Sequence, residues 1–450
     1  MKQRTFAVSA STWLVRALAV AALLLAAPPA GLTGELDFAK PKLNPIIFVH
    51  GGSGSGAQFE SQAMRFTSNG YSASHVAVLE YDSSAISTIL PDVLARLDAL
   101  IAEMLARTGA TQVDLMGHSL GTTVSHTFLS TPERAAKVAH YVNIDGRTAA
   151  APPGGVPTLA LWAGAVNRPV PPQIVGATNV TIPNQEHVQV ASSEESFFEM
   201  FRFLRGRAPF TTRVLPQLLP EISGRVTAFP QNSGLDGAKL EVWLVNGRTG
   251  NRIGNRPWKT FDIGPDGSFG PFRVVIGLNF EFAVLREGQV DLNYFYEPFL
   301  RSDSLVRLNV ADGLAPFIPA TANDVALTVV RFKEFWGDRG AENDVLSING
   351  TDVINPTTAP SGAVGTASVA FFLFDVGSDG VSNMAGPVPF PFNLLPFLTA
   401  ADLFIPAQLP GTVTIETVPR GDFDATRKVN VRNIPATQGR VAVQLRDFEQ

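Results

Sequence analysis

The sequence predicts an α/β fold, a doubly wound and mostly parallel sheet, followed by all-β sandwich-like domains. Apolar runs without alternation, such as Pro45-Ile-Ile-Phe-Val-His50, alternate with helix-compatible stretches as far as about residue 205. Strands covered on both faces read this way. Past Gly206 helical periodicity nearly disappears, and short strand-like runs are parted by turn signals such as Leu235-Asp-Gly237 and Pro265-Asp-Gly267. The length, 450 residues, is too great for one ordinary core.

In chain order, the first strand (45–50) runs into the glycine-rich loop His50-Gly-Gly-Ser-Gly-Ser-Gly56. A helix-like stretch (57–68) and a second strand (75–81) follow. Residues 91–107 form an amphipathic helix with Val93, Leu94, Leu97, Leu100, Ile101, Met104 and Leu105 on one side, capped by Gly109. Further strands are expected at 138–144, 158–163 and 179–182. A helix over 192–204 starts at Ser192 or Ser193, ahead of Glu194 and Glu195. Residues 209–222 read as a Pro- and Leu-containing linker. A β-sandwich over 223–315 and a second β-rich domain over 316–450 complete the chain, with strands near 223–227, 240–245, 272–275, 280–284, 325–332, 368–374, 413–418 and 441–445.

The N-terminus has the form of an export signal over residues 1–34. Lys2, Arg4 and Arg16 flank an apolar run from 17 to 27, too short for a comfortable membrane span, and Ala26-Ala-Pro-Pro-Ala30 offers small residues for cleavage. The expected location is therefore extracellular or periplasmic. Net charge is −5, which gives no reason to expect nucleic acid. The absence of cysteine rules out disulfides and thiolate metal sites. Acidic residues of the β-rich half are scattered in turns, so neither a metal nor another cofactor is expected.

The stretch that carries chemistry is Val113-Asp-Leu-Met-Gly-His-Ser-Leu-Gly-Thr122. It holds the pentapeptide Gly117-His118-Ser119-Leu120-Gly121 between an apolar lead-in and a helix-compatible run. A serine on a sharp strand-to-helix turn points its hydroxyl outward, and the two glycines let the turn close. Such a serine needs a base, and the base an orienting acid. None of the six histidines lies beyond His187, so the β-rich half supplies no base. With the base after the serine in chain order, His126, His140 and His187 remain. His126 lies along the helix behind Ser119, and His140 begins a strand at the wrong end of the sheet. His187, in Asn184-Gln-Glu-His-Val188, follows the last strand on the edge where the elbow sits.

Between Ser119 and His187 the only carboxylates are Glu133, Asp145 and Glu186. Glu133 opens a helix after Pro132, and Glu186 adjoins the histidine and diverges from it. Asp145 ends a strand on the elbow's edge and is the expected acid. Asn167 stands where the acid more usually falls. Backbone N–H groups of Leu120 and Gly52 are the expected oxyanion donors, with His50 and Gly51 supporting the loop. The glycine-rich run lacks the Gly-Lys-Ser/Thr ending of a phosphate loop, so it does not point to a nucleotide.

Phe48-Val-His-Gly-Gly52, Gly117-His-Ser-Leu-Gly121, Asp145 and His187 together resemble the α/β-hydrolase lipases and carboxylesterases over about residues 43–205. An acid after the sixth rather than the seventh strand is similar to a subgroup of secreted lipases. In one archaeal member of that group a β-rich C-terminal domain is implicated in long-chain lipid binding. The resemblance implies an α/β-hydrolase fold and a secreted serine ester hydrolase, most simply a lipase. An esterase for polyester or aryl esters and a silent lipid- or surface-binding protein on the same scaffold stay open. The interval 145–158 leaves no room for a helical cap, so access falls to another loop. Residues 224–310 resemble carboxypeptidase-regulatory-like sandwiches. The apolar, Pro-broken run over 388–405 is either buried or a contact for lipid.

Overall fold

The computed structural model describes residues 43–420 and 426–446; the expected export segment lies outside them. The first 160 or so described residues form a six-stranded, all-parallel sheet in the order β2-β1-β3-β4-β5-β6. Its strands are β1 (Ile46–Val49), β2 (Val76–Leu79), β3 (Val113–His118), β4 (Val138–Ile144), β5 (Thr158–Ala163) and β6 (Thr178–Ile182). Its helices are α1 (Glu60–Ser68), α2 (Ile86–Thr108), α3 (Leu120–Leu129), the short α4 (Pro132–Ala135), α5 (Gln189–Ser192) and α6 (Glu194–Arg205).

Each face of the sheet has its own core, which is why a central strand such as β1 is apolar without alternation. Ile46, Phe48, Met116 and Val142 pack against Phe197, Met200 and Phe201 of α6. Ile47, Val49, Leu115 and Tyr141 pack against Val93, Leu97, Ile101 and Met104 of α2. The latter helix starts five residues before the expected 91, with Pro91 inside it. The ring costs a backbone hydrogen bond, but Ile86, Ile89 and Leu90 join the same core and extend the helix across it. The expected last helix is α6, capped as the sequence indicates by Ser193, whose extended backbone (φ −74°, ψ 161°) sets it off from the short α5 and whose Oγ accepts from Ser196 N.

The β-rich half is built from three sheets. The central one has eight strands in the order β18-β17-β14-β21-β12-β11-β8-β9. These are β8 (Lys239–Val245), β9 (Lys259–Asp262), β11 (Asn279–Leu285), β12 (Asp291–Tyr296), β14 (Leu327–Phe335), β17 (Ser368–Phe374), β18 (Leu398–Asp402) and β21 (Gly439–Gln444). On one face it carries the three-stranded sheet of β7 (Glu221–Ala228), β10 (Ser268–Arg273) and β13 (Asp303–Val310). Phe280, Phe282 and Val284 meet Ile222, Val226 and Leu308 there. On the other face lie β15 (Val345–Ile348), β16 (Thr351–Asp352), β19 (Thr412–Val418) and β20 (Arg427–Arg432). There Val329, Phe371 and Val443 meet Leu346, Val413 and Val431.

The central sheet runs through the boundary drawn near residue 315. Strand β12 pairs in parallel with β21 from the chain's last stretch, Asp291 opposite Gly439 through Tyr296 opposite Gln444. The apolar 388–405 run is also less uniform than its prolines suggest. Residues from Leu398 to Asp402 are the strand β18, paired with β17. Phe392 is buried on Phe372 with ring centroids 4.7 Å apart, and Leu403 and Ile405 are core. Phe390 and Leu394 face solvent, 64% and 70% exposed.

Buried ion pairs join the two halves. Arg307 Nε on β13 donates to Glu80 Oε1, just past β2, at 2.7 Å, and the same oxygen accepts Gly56 N. Arg446 Nε reaches Glu60 Oε1 on α1 at 3.1 Å. Burial alone pushes the Glu80 carboxyl up, but Arg307 and His50 outweigh it and hold the pKa below the ordinary carboxylate value. Arg307→Met is expected to strand that charge and lower stability by about 3–5 kcal/mol. The urea midpoint checks this: an unchanged midpoint excludes Arg307–Glu80 as a structural tie.

Candidate active site

Ser119 sits between β3 and α3 with φ 52° and ψ −120°, a conformation that costs energy for any residue with a side chain. The flanking glycines are required by contact. A Cβ on Gly121 would strike the carbonyls of Val49 and His50, and one on Gly117 would come within 2.7 Å of Ser125 Oγ. A Cβ on Gly51 would lie 2.9 Å from Ser119 Cβ, so the glycine-rich loop passes directly against the serine. Ser119, Leu120 and Gly52 are all partly solvent-exposed, in contrast to the buried β3.

His50 is fully buried and braces the loop. Its Nδ1 bonds Gly51 O at 2.9 Å, its Nε2 accepts Tyr81 N, and its ring stacks on Tyr81 with centroids 4.3 Å apart. His118, next to the serine, bonds through Nε2 to His187 O at 2.8 Å and through Nδ1 to Gln58 Nε2. Burial, followed by repulsion from His187, pushes its pKa down to about 3, so it stays neutral. That fixes its roles: Gln58 donates to Nδ1, and Nε2–H donates to the His187 carbonyl.

Asp145 lies just past β4 with φ 40°, a second residue held in the left-handed region. Its Oδ2 meets His187 Nδ1 at 2.6 Å, and Oδ1 accepts Ala163 N at 2.8 Å. Arg168 Nη2 reaches both carboxylate oxygens, at 2.8 and 2.7 Å, while its Nη1 donates to Ala163 O. Burial pushes the Asp145 carboxyl up, but His187, Arg168 and the Ala163 N–H together hold it below the ordinary range. His187 is 4% exposed, and its Nε2 is buried with no hydrogen-bond partner.

The structure thus brings Asp145 and His187 into contact beside the elbow. His126 and His140 are engaged elsewhere: His126 Nε2 bonds Asn143 Oδ1, and His140 Nδ1 pairs with Asp114. Glu186 turns away from the imidazole and accepts Gly362 N at 2.8 Å. Asn167, at the more usual acid position, donates its backbone N–H to Gly362 O.

Several residues at the site are ones that sequence reasoning did not find. Arg168 follows Asn167, and a search for the partner of a buried Asp145 would have pointed to it. Glu334 of β14 accepts both Val188 N and Gln189 N, directly after the histidine. Phe397, with φ 65°, stacks on His187 with ring centroids 5.8 Å apart and an interplanar angle of 16°. No local signal marks these last two, since both belong to the half without histidines.

Residues 43–131 match the family model for lipase (class 2), residues 220–312 that for the lipase C-terminal domain, and residues 313–449 a further C-terminal-domain model. No curated protein matches. Among solved structures, a predicted CIB-like hydrolase from Thermoplasma acidophilum is similar at 17% identity, covering 37% of this chain and 89% of its own, with TM-score 0.28. A lipase from Bacillus licheniformis in propeptide form is similar at 12% identity, covering 87% of this chain and 93% of its own, with TM-score 0.30. The two lipase models bear out the resemblance to α/β-hydrolase lipases and support a lipolytic hydrolase.

Arg168→Gln tests the electrostatics of the acid. A carboxyl whose folded pKa is depressed contributes stability above its unfolded pKa, and that stability is lost as pH falls through the folded value. Removing the guanidinium is therefore expected to cost about 1–3 kcal/mol at neutral pH. The difference from wild type should close as pH falls below about 4. Urea titrations at several pH values measure it; a pH-independent difference contradicts a charge effect on Asp145.

Proposed function

We propose that this α/β-hydrolase with lipase-type C-terminal segments is a secreted serine ester hydrolase, a lipase acting on long-chain acyl esters. The observation that carries the reading is the 2.6 Å bond from His187 Nδ1 to Asp145, on a histidine that packs against His118 of the elbow and whose Nε2 has no hydrogen-bond partner. Ser119 Oγ attacks the ester carbonyl as His187 Nε2 takes its proton. Asp145 keeps Nδ1 protonated and balances the imidazolium charge. The oxyanion is held by the N–H groups of Leu120 and Gly52. Collapse of the tetrahedral intermediate breaks the ester C–O bond, and His187 returns the proton to the leaving alcohol. Water then repeats the sequence on the acyl-enzyme and frees the acid. A neutral His118 places no second positive charge beside the imidazolium.

Support for a long acyl chain comes from a groove of about 240 Å³ on the central β-sheet. Its lining includes Val330, Ala370, Phe372 and Ala442, together with Ser53 and Gly54 of the glycine-rich loop. A mostly apolar trough bordered by Ser53 and Gly54, next in the chain to Gly52, suits a hydrocarbon tail. The lipid contact expected over 388–405 narrows to Phe390 and Leu394, the two large side chains of that run that face solvent. Export rests on Lys2, Arg4, Arg16 and the apolar run behind them.

Ser119→Ala and His187→Ala are each expected to lower turnover of p-nitrophenyl esters on the order of 10⁴-fold or more with the fold retained. An organophosphonate probe should label the wild type and not Ser119→Ala. Labelling elsewhere, or wild-type rates in either variant, refutes the triad. A silent binding protein would take no label at all.

Val330→Trp is expected to reduce kcat/KM about tenfold for long-chain esters while sparing short ones. The chain-length series, run in solution and on emulsions, decides between a lipase and an esterase for polyester or aryl esters. Equal losses at all lengths remove the groove from the acyl path.

A further inference from the structure

The β-rich half does more at the site than line a groove. The loop bearing His187 is held by that half at several points. Gly362 N donates to Glu186, Ser192 Oγ donates to Phe332 O at 2.8 Å, and Phe397 covers the imidazole face. Arg420 Nη2 donates to Gln189 Oε1. The main chain directly after the base is held by Glu334, fully buried, whose two carboxyl oxygens accept Val188 N and Gln189 N.

The peptide group joining His187 to Val188 is therefore gripped at both ends. His118 Nε2–H donates to its carbonyl at 2.8 Å, and Glu334 accepts its N–H. With Asp145 fixing Nδ1, the imidazole is held by the ring and by the main chain that carries it. Glu334 is itself rigidly mounted. Its own carbonyl accepts Arg420 Nη1 and Arg331 Nη2, and both guanidiniums pair with buried Asp344, at 2.7 and 3.0 Å. Burying a carboxylate is costly, yet this one is spent on two backbone donors immediately after the base.

We propose that Glu334, reaching from the β-rich half, is a positioning residue for His187: by fixing the 187–189 main chain it aims Nε2 at Ser119. The inference rests on the assignment of His187 as base. A misplacement of about 1 Å at such a group costs on the order of 10²-fold in rate, so a clamp at this place acts on kcat. It also makes the β-rich half part of the catalytic apparatus for every ester, short ones included.

The test uses the full chain with Glu334→Ala, Glu334→Gln and Glu334→Asp on a short, water-soluble ester. Active sites are counted by organophosphonate titration to its end point, so that kcat is expressed per competent serine. Glu334→Ala is expected to lower kcat per site about 10–100-fold while KM stays within about twofold. Glu334→Gln, which keeps one acceptor oxygen, and Glu334→Asp, which keeps a carboxyl group, should recover part of the rate. In a His187→Ala background, Glu334→Ala should cost nothing further, because the residue acts through the base.

Fewer titratable sites with an unchanged rate per site would mean a purely structural role and overturn the proposal. An additive loss in the double variant would do the same. Should Glu334→Ala not fold, the Gln and Asp variants, which keep the volume or the carboxyl group, decide. Wild-type turnover in His187→Ala alone would instead remove the base assignment, and the clamp with it.

Discussion

The site depends first on the contact between Asp145 and His187. The bond is 2.6 Å long and lies in a nearly dry setting, with Asp145 2% and His187 4% exposed. A lone carboxylate buried to that degree would take up a proton. Arg168 and the Ala163 N–H keep it charged, and a charged acid is what holds the imidazole in one tautomer and one orientation. The unusual backbone of Asp145, like that of Ser119, is held only because the surroundings over-determine it.

Those surroundings extend well beyond the parallel sheet. Glu80 and Arg307, Glu60 and Arg446, and Glu334 with the residues after His187 all bridge the α/β part and the β-rich part inside the protein. Paired charges at such a junction fix orientation more than they add to net stability. The β-rich half also provides the wall over the imidazole, through Phe397, and the mostly apolar trough bordered by the glycine-rich loop. Between Asp145 and Thr158 the chain holds only the short turn Pro153–Gly155, and the β-rich half reaches the His187 loop through Phe397 on the ring and Gly362 on Glu186.

Much of the α/β part was legible from the sequence because its signals are local. Short runs rich in apolar and β-branched residues gave the six strands to within a few residues, and Gly117, Gly121 and the residues between them announced an elbow. Where boundaries moved, a tertiary contact had outweighed a local preference. Ile86, Ile89 and Leu90 carried α2 past Pro91. The β-rich half was read less well. Short strands show where a chain is extended and not which strand it pairs with, so β12 beside β21 was invisible. In the apolar stretch after residue 388 the prolines masked β18.

By itself the sequence determined the short inventory: one elbow serine, a histidine at 187 with no later rival, and three carboxylates among which Asp145 fell at the right edge of the sheet. Counting narrows the candidates there because histidines and carboxylates are scarce between residues 119 and 187 and the parallel fold places strand ends on a common edge. Only the tertiary structure decided what surrounds them. Arg168 on the acid, Phe397 on the ring and Glu334 behind the base are common residue types with no local pattern. Phe397 and Glu334 reach His187 and the residues after it across more than a hundred residues of chain, a distance no window of sequence contains, whereas Arg168 lies 23 residues from Asp145 and is singled out only by the burial of that carboxylate.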